Sequence, residues 1–167
     1  LAHTTWFFEV FILEELARTY RPVNEHYRVL FNSYYQGVGE QHPRNERGQL
    51  SRPSLEEVLE YRRVVDGRMH EMIDAIDEAG WKTLCSRTTL GLNHEQQHQE
   101  LILMDLKHCF SRNPLFPPYR EDLAQSTRRP LPLAFIEHEG GLREHGHQGD
   151  GFAFDNESPR HRALLHP

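Results

Sequence analysis

The chain has 167 residues, 19 Lys+Arg against 25 Asp+Glu, a formal net charge of −6 and 12 histidines. Domains usually run roughly 100–150 residues, so the length fits one domain with a short remainder. The acidic balance excludes a broad basic face for nucleic acid or a membrane surface. With 37% hydrophobic residues and a mean hydropathy of −0.73, no run approaches the ~20 apolar residues of a membrane helix.

An aromatic content of 10% supports a packed core rather than disorder. Cys85 and Cys109 are too few for a disulfide framework and fit a reducing, cytoplasmic setting. The chain opens at Leu1 with no charged leader and stops inside the apolar run Ala163-Leu164-Leu165. It reads as a fragment of a longer protein.

The first helix is expected over residues 5–18, capped by Thr4 or Thr5, with Trp6, Phe7, Val10, Phe11, Leu13 and Leu16 as its apolar face. Pro22 closes the connection, and a shorter helix follows over residues 24–35. Residues 36–53 carry Gly37, Gly39, Pro43, Gly48 and Pro53 among Arg44, Arg47 and Arg52, which marks a long loop and a candidate binding segment.

Ser54-Leu55-Glu56-Glu57 is a capping box. Leu55, Val58, Leu59, Arg62, Val65, Met69, Met72, Ile73 and Ile76 then keep helical spacing up to a stop at Gly80. A fourth helix is expected over residues 88–111, with Leu101, Met104, Leu106 and Phe110 facing a core. The fold class is therefore all-α, a four-helix bundle over residues 1–115. A Pro-punctuated linker covers 116–132. From 133 to 167 the pattern turns short and strand-like between glycines, the start of a second, β-containing domain.

The chemistry concentrates in His94-Glu95-Gln96-Gln97-His98. Residues i and i+4 share a helix face one turn apart, so two imidazoles can chelate one cation from a rigid support. The string is also H-E-x-x-H, in which a zinc peptidase uses the Glu as general base. Peptidase patterns continue with Gly and His, where this chain has Gln99-Glu100-Leu101-Ile102-Leu103. A solvated helix face is the plain alternative. His3, at the start of the first helix, is the expected third ligand, because in a bundle one helix start can meet the facing point of another. Asp105 and His108 lie too far along the axis to join. Three neutral imidazoles with open positions suit Zn²⁺, Fe²⁺ or another first-row ion, and ligand type does not choose among them.

Four stretches occur in order: His3-Thr4-Thr5-Trp6-Phe7-Phe8-Glu9; Phe31-Asn32-Ser33-Tyr34-Tyr35; His42-Pro43-Arg44 with Arg47-Gly48 and Leu50-Ser51-Arg52-Pro53; and His94 to Leu101. Together they resemble the iron-dependent sulfoxide synthases of ergothioneine biosynthesis, the hercynine oxygenases. Gly149-Asp150-Gly151-Phe152-Ala153-Phe154-Asp155-Asn156-Glu157 with Pro159-Arg160-His161 resembles the start of their second domain.

The resemblance implies a DinB-like four-helix bundle, then the truncated start of an α+β formylglycine-generating-enzyme-like (sulfatase-modifying-factor, C-type-lectin-like) domain. It implies Fe(II) held by His3, His94 and His98, and C–S bond formation between hercynine and γ-glutamylcysteine or cysteine with O₂, giving a sulfoxide. It places Gln97 against the hercynine and Arg44 and Arg47 against the carboxylates of the thiol substrate. The family's catalytic tyrosine is expected beyond Pro167, so the fragment alone is expected to be inactive. Three rivals stand beside this reading. They are the ovothiol-pathway synthase, which acts on histidine; a DinB-like zinc or nickel thiol transferase that needs no O₂; and a non-catalytic bundle with a vestigial site.

Overall fold

A computed structural model describes residues 1–122 and 131–166. The described residues are mostly helical, with one two-stranded sheet. The chain divides into two compact units, Leu1–Ile102 and Leu103–Pro167.

The first unit is built around a helical rod in three consecutive parts: α1 (Ala2–Phe8), a π turn (Glu9–Leu13) and α2 (Glu14–Leu16). A helix that is apolar on every side belongs inside a protein, and this one is. Trp6, Phe7, Phe8, Val10, Ile12 and Leu13 are all buried. The π turn explains the mixed apolar spacing of the sequence, since i→i+5 bonding rotates the side chains that follow it.

The rod begins earlier than expected. Thr4 and Thr5 do not cap it; their hydroxyls donate to the Leu1 carbonyl at 2.9 and 3.0 Å from inside the helix.

One carboxylate is fully buried among the apolar side chains of this rod. The Glu9 carboxylate is 1% exposed. It accepts hydrogen bonds from the Tyr20 hydroxyl (2.8 Å), the Val23 amide (2.8 Å) and the Tyr61 hydroxyl. A buried charge is tolerable only when hydrogen-bonded in this way. The same burial and the facing carboxylate hold both tyrosines in the protonated, donating form.

The expected helix over 24–35 shrinks to one turn, α3 (Tyr27–Leu30). Local side-chain bonds compete with the helix at both of its ends. Asn24 Oδ1 accepts from the His26 amide, and Asn32 Oδ1 accepts from the Tyr35 amide. The loop at 36–53 holds two 3₁₀ turns, Gln36–Val38 and Arg44–Gln49.

Helix α4 (Leu55–Ala75) starts at the predicted box: Ser54 Oγ accepts from the Glu57 amide, and the Glu57 carboxylate accepts from the Ser54 amide. Its core face is Tyr61, Val65 and Met69. Leu55 and Leu59, expected on that face, are exposed, because the rod covers only one side of the helix.

Gly80 is not a stop. The break falls at Ile76, whose backbone is extended, and Asp77 opens α5 (Glu78–Arg112) by accepting the Gly80 amide at 2.8 Å. A Cβ at position 80 would meet the Ile76 side chain at 2.8 Å, so glycine serves the tight reversal between two helices.

Helices α4 and α5 differ in length, 21 residues against 35, about 31 Å against 52 Å at 1.5 Å per residue. The buried residues of α5 are Leu84, Gly91 and His94. Leu101 and Met104, expected in a core, are therefore exposed, while Leu106 and Phe110 are half-buried. The mostly helical make-up fits the expected bundle, with the shorter second helix reduced to a single turn.

In the second unit β1 (Gly141–His145) pairs antiparallel with β2 (His161–Leu165), in register from Gly141 opposite Leu165 to His145 opposite His161. A 3₁₀ turn, Asp155–Glu157, lies between them. The linker expected at 116–132 lies partly outside the described residues. Of the stretch expected to be strand-like from 133, Gly141–His145 and His161–Leu165 form strands.

Candidate metal centre

The rod and α5 run antiparallel, which their contacts show step by step. Arg87 donates to the Phe11 carbonyl, Gly91 faces Phe7 and Phe8, and His94 faces His3. Gly91 matters to this approach. A Cβ there would lie 2.8 Å from two ring carbons of Phe8 and 3.0 Å from one of Phe7. Only a glycine lets the aromatic rod sit against α5 one turn before His94.

His3, His94 and His98 thereby converge. Their ligand nitrogens all lie within 4.8 Å of one another, and the ring centroids are 5.1, 4.9 and 4.7 Å apart. The two Nε2 atoms of His94 and His98 stand 3.1 Å apart. Nitrogens bound to one cation at about 2.0–2.1 Å, at angles near 90–109°, stand about 2.8–3.4 Å apart. The i,i+4 pair therefore already has the separation that chelation needs. His94 Nδ1 is buried with no hydrogen-bond partner among the described residues.

The chain from residue 28 to 35 forms the other wall. Trp6 Nε1 donates to the Arg28 carbonyl at 3.2 Å, and His3 Nδ1 donates to the Phe31 carbonyl at 2.7 Å. A carbonyl only accepts, so the His3 proton sits on Nδ1 and the Nε2 lone pair is free. Fixing a ligand's tautomer through its second nitrogen is what a metal-binding imidazole needs. The His3 ring also stacks on Trp6 and Tyr35.

Electrostatics favour the neutral ligand form of all three rings. Burial, then the nearby His3 and His98, push His94 down to about 4. Burial also lowers His3, against the opposing Phe31 carbonyl, and lowers His98. Neutral imidazoles with available lone pairs in a half-buried pocket suit a first-row divalent cation.

The remaining predicted residues lie at the edge of this centre or away from it. Arg47 is close: Nη2 donates to the Ser33 carbonyl at 3.3 Å, and its charge helps to lower His3. Arg44 and Gln97 are exposed. Gln97 adjoins His98 on α5.

Glu95 is drawn to α4, where Arg62 grips both carboxylate oxygens at 2.7 and 3.4 Å while its Nε holds Asp66. A general base needs a carboxylate oxygen free to take a proton. The peptidase alternative loses its base here.

Ser33 and the Phe31 carbonyl are functional neighbours that spacing and periodicity do not reveal, since they sit 28 to 30 residues from His3. Their only sequence signal is the block Phe31–Tyr35 itself. No family model matches the chain, and neither does any of the curated proteins searched. Among the described residues, no helix is long and apolar enough to cross a membrane.

Proposed function

We propose that this chain is the metal-holding helical part of a mononuclear non-haem iron(II) oxygenase. Its reaction joins the sulfur of γ-glutamylcysteine or cysteine to an imidazole carbon of hercynine, with O₂, to give a sulfoxide. The observation that carries the reading is the convergence of His3, His94 and His98, three residues spread over most of the helical unit, into one neutral nitrogen donor set. The ordered sequence blocks that resemble hercynine oxygenases supply the substrate class. A cytoplasmic, reducing setting, in which Cys85 and Cys109 remain thiols, goes with the reading.

The residues divide the work by position. His3, His94 and His98 would hold the iron on one side and leave its other positions open. When bound, ferrous iron supplies Lewis acidity toward a thiolate and the redox chemistry that O₂ requires. In balance, thiol, imidazole C–H and O₂ give the sulfoxide and water. Arg47, anchored to Ser33 through one nitrogen, keeps further donors for a substrate carboxylate, and Arg44 on the same 3₁₀ turn adds a second guanidinium. Gln97, one residue before His98, orients the imidazole substrate. Trp6, Phe7 and Tyr35 pack around His3 and His94 and keep water from that side.

The test is anaerobic loading of the complete polypeptide with Fe(II), then O₂ with hercynine and each thiol, followed by product mass. One iron per chain and a sulfoxide product are expected. Zinc retention with thiol transfer and no O₂ uptake would favour the transferase instead. His94→Ala and His98→Ala should each abolish stoichiometric iron; iron retained in either variant refutes the ligand assignment.

A further inference from the structure

The three-histidine centre depends on a carbonyl that no regular element holds. Phe31 closes the single turn of α3, its amide donating to the Tyr27 carbonyl at 3.0 Å, and residues 31–35 belong to no helix or strand. Yet the Phe31 carbonyl fixes the His3 tautomer, and the Tyr35 ring lies against His3 and His94. Two contacts that shape the ligand set thus come from one short irregular stretch.

Asn32 holds that stretch. It is fully buried, and its own amide lies in the same peptide plane as the Phe31 carbonyl. Its Oδ1 accepts from the Tyr35 amide at 2.9 Å and the Tyr34 amide at 3.4 Å. Its Nδ2 donates to the Tyr35 carbonyl at 2.9 Å and the Glu40 carbonyl at 3.3 Å. A side-chain amide offers two donor hydrogens and one oxygen with two lone pairs, so Asn32 spends all of them. A buried polar network satisfied in this way is rigid. One side chain thereby grips Tyr35 at both of its backbone polar groups and anchors the peptide that carries the Phe31 carbonyl. It also reaches the loop of Arg44 and Arg47, which is tied to the same wall by the His42 amide on the Val29 carbonyl and by Arg47 on the Ser33 carbonyl.

We propose that Asn32 is a positioning residue of the metal centre: by holding the Phe31 carbonyl and Tyr35 against His3, it sets the tautomer and orientation of that ligand, and with them the affinity for the cation. The proposal rests on the three-histidine reading above and deepens it. Asn32 acts through Phe31 and Tyr35 rather than on the cation. Losing an outer partner that orients a ligand costs about 10–100-fold in metal affinity.

The experiment titrates the full chain with Co(II) under anaerobic conditions, with visible absorption as the readout. In parallel, ¹⁵N spectra of the metal-free chain labelled at histidine report which His3 nitrogen carries the proton, with His3→Gln to assign the signals. The parent should show His3 protonated on Nδ1. Asn32→Ala should bind Co(II) at least about tenfold more weakly and show His3 as a mixture of the two neutral tautomers. Met69→Ala opens a hole in the same core two turns past Tyr61 on α4, and is the control for lost stability alone. It should keep the parental Co(II) affinity and the Nδ1 proton. Should Asn32→Ala fail to fold, Asn32→Ser decides, since its hydroxyl still accepts from a following amide but loses both Nδ2 bonds; it should shift both readouts in the same direction.

Parental Co(II) affinity and an unmixed His3 tautomer in the deciding variant would overturn the proposal and leave the metal centre standing. Met69→Ala weakened as much as the Asn32 variant would overturn it too, by making general destabilisation the cause. A parent chain that takes up no Co(II) would sink the metal centre and this proposal together.

Discussion

Replacing Gly91 by alanine tests the packing that brings α5 to the rod. The added Cβ falls 2.8 Å from Cε1 and Cζ of Phe8 and 3.0 Å from Cε1 of Phe7. Carbon–carbon contact is comfortable at about 3.5–4.0 Å, so the overlap with Phe8 is about 0.7 Å. Neither ring can swing into solvent, since Phe7 is 2% and Phe8 7% exposed. Overpacking of this kind costs about 1–3 kcal/mol, against which alanine recovers about 0.5–1 kcal/mol of helix preference over glycine.

The net expectation for Gly91→Ala is a loss of about 1–2 kcal/mol. Gly67, mid-helix in α4, is the control. A methyl group added there would meet nothing within 4 Å, so Gly67→Ala should stabilise by about 0.5–1 kcal/mol. The same chemical change thus has opposite signs at two helical sites, which urea midpoints resolve. Gly91 lies one turn before His94, so Gly91→Ala should also weaken Co(II) binding while Gly67→Ala does not. Equal stability of the two variants would refute the packing argument. A destabilised Gly91→Ala with parental Co(II) affinity would refute the link from packing to the centre.

Three further outcomes follow from the same geometry. Glu9→Gln keeps one acceptor oxygen and lets the Tyr61 hydroxyl turn to accept, so it should cost about 1–2 kcal/mol, whereas Glu9→Leu strands three donors and should cost more; urea unfolding that ranks Leu level with Gln contradicts the network. The metal-free protein should lose stability as pH falls from 6.5 toward about 4. Over that range the unfolded chain takes a proton on His94 that the folded chain, with its imidazole pushed down to about 4, does not. His94→Gln should flatten this part of the profile, and an unchanged slope counts against burial as the cause. Glu95→Gln should leave metal content intact and cost about 0.5–1 kcal/mol through its partly exposed pair with Arg62; loss of metal would put Glu95 in the centre.

Much of the helical unit is legible in local sequence. The capping box at Ser54 marks the start of α4, and the aromatic run from Trp6 marks a buried helix. The i,i+4 histidines share a face wherever the helix goes, because 3.6 residues per turn fixes that relation without reference to the rest of the fold. The loop at 36–53 and the hairpin near Gly141 follow from glycine and proline in the same way.

Other features depend on partners far away in sequence. The exposed Leu101 and Met104 have the composition of core residues, but the buried residues of α5 end at His94. Gly80 has the look of a stop, yet Asp77 and the packing of Ile76 make it the opening of a longer helix. Glu95 belongs to a peptidase string, and Arg62 on the neighbouring helix takes its charge. The free lone pair of His3 is set by a carbonyl 28 residues on, and the meeting of His3 with His94 and His98 by two phenylalanine rings that only a glycine admits. Backbone hydrogen bonding is local and repeats along the chain, so sequence reveals elements; ligand geometry is a relation among elements, and only packing decides it.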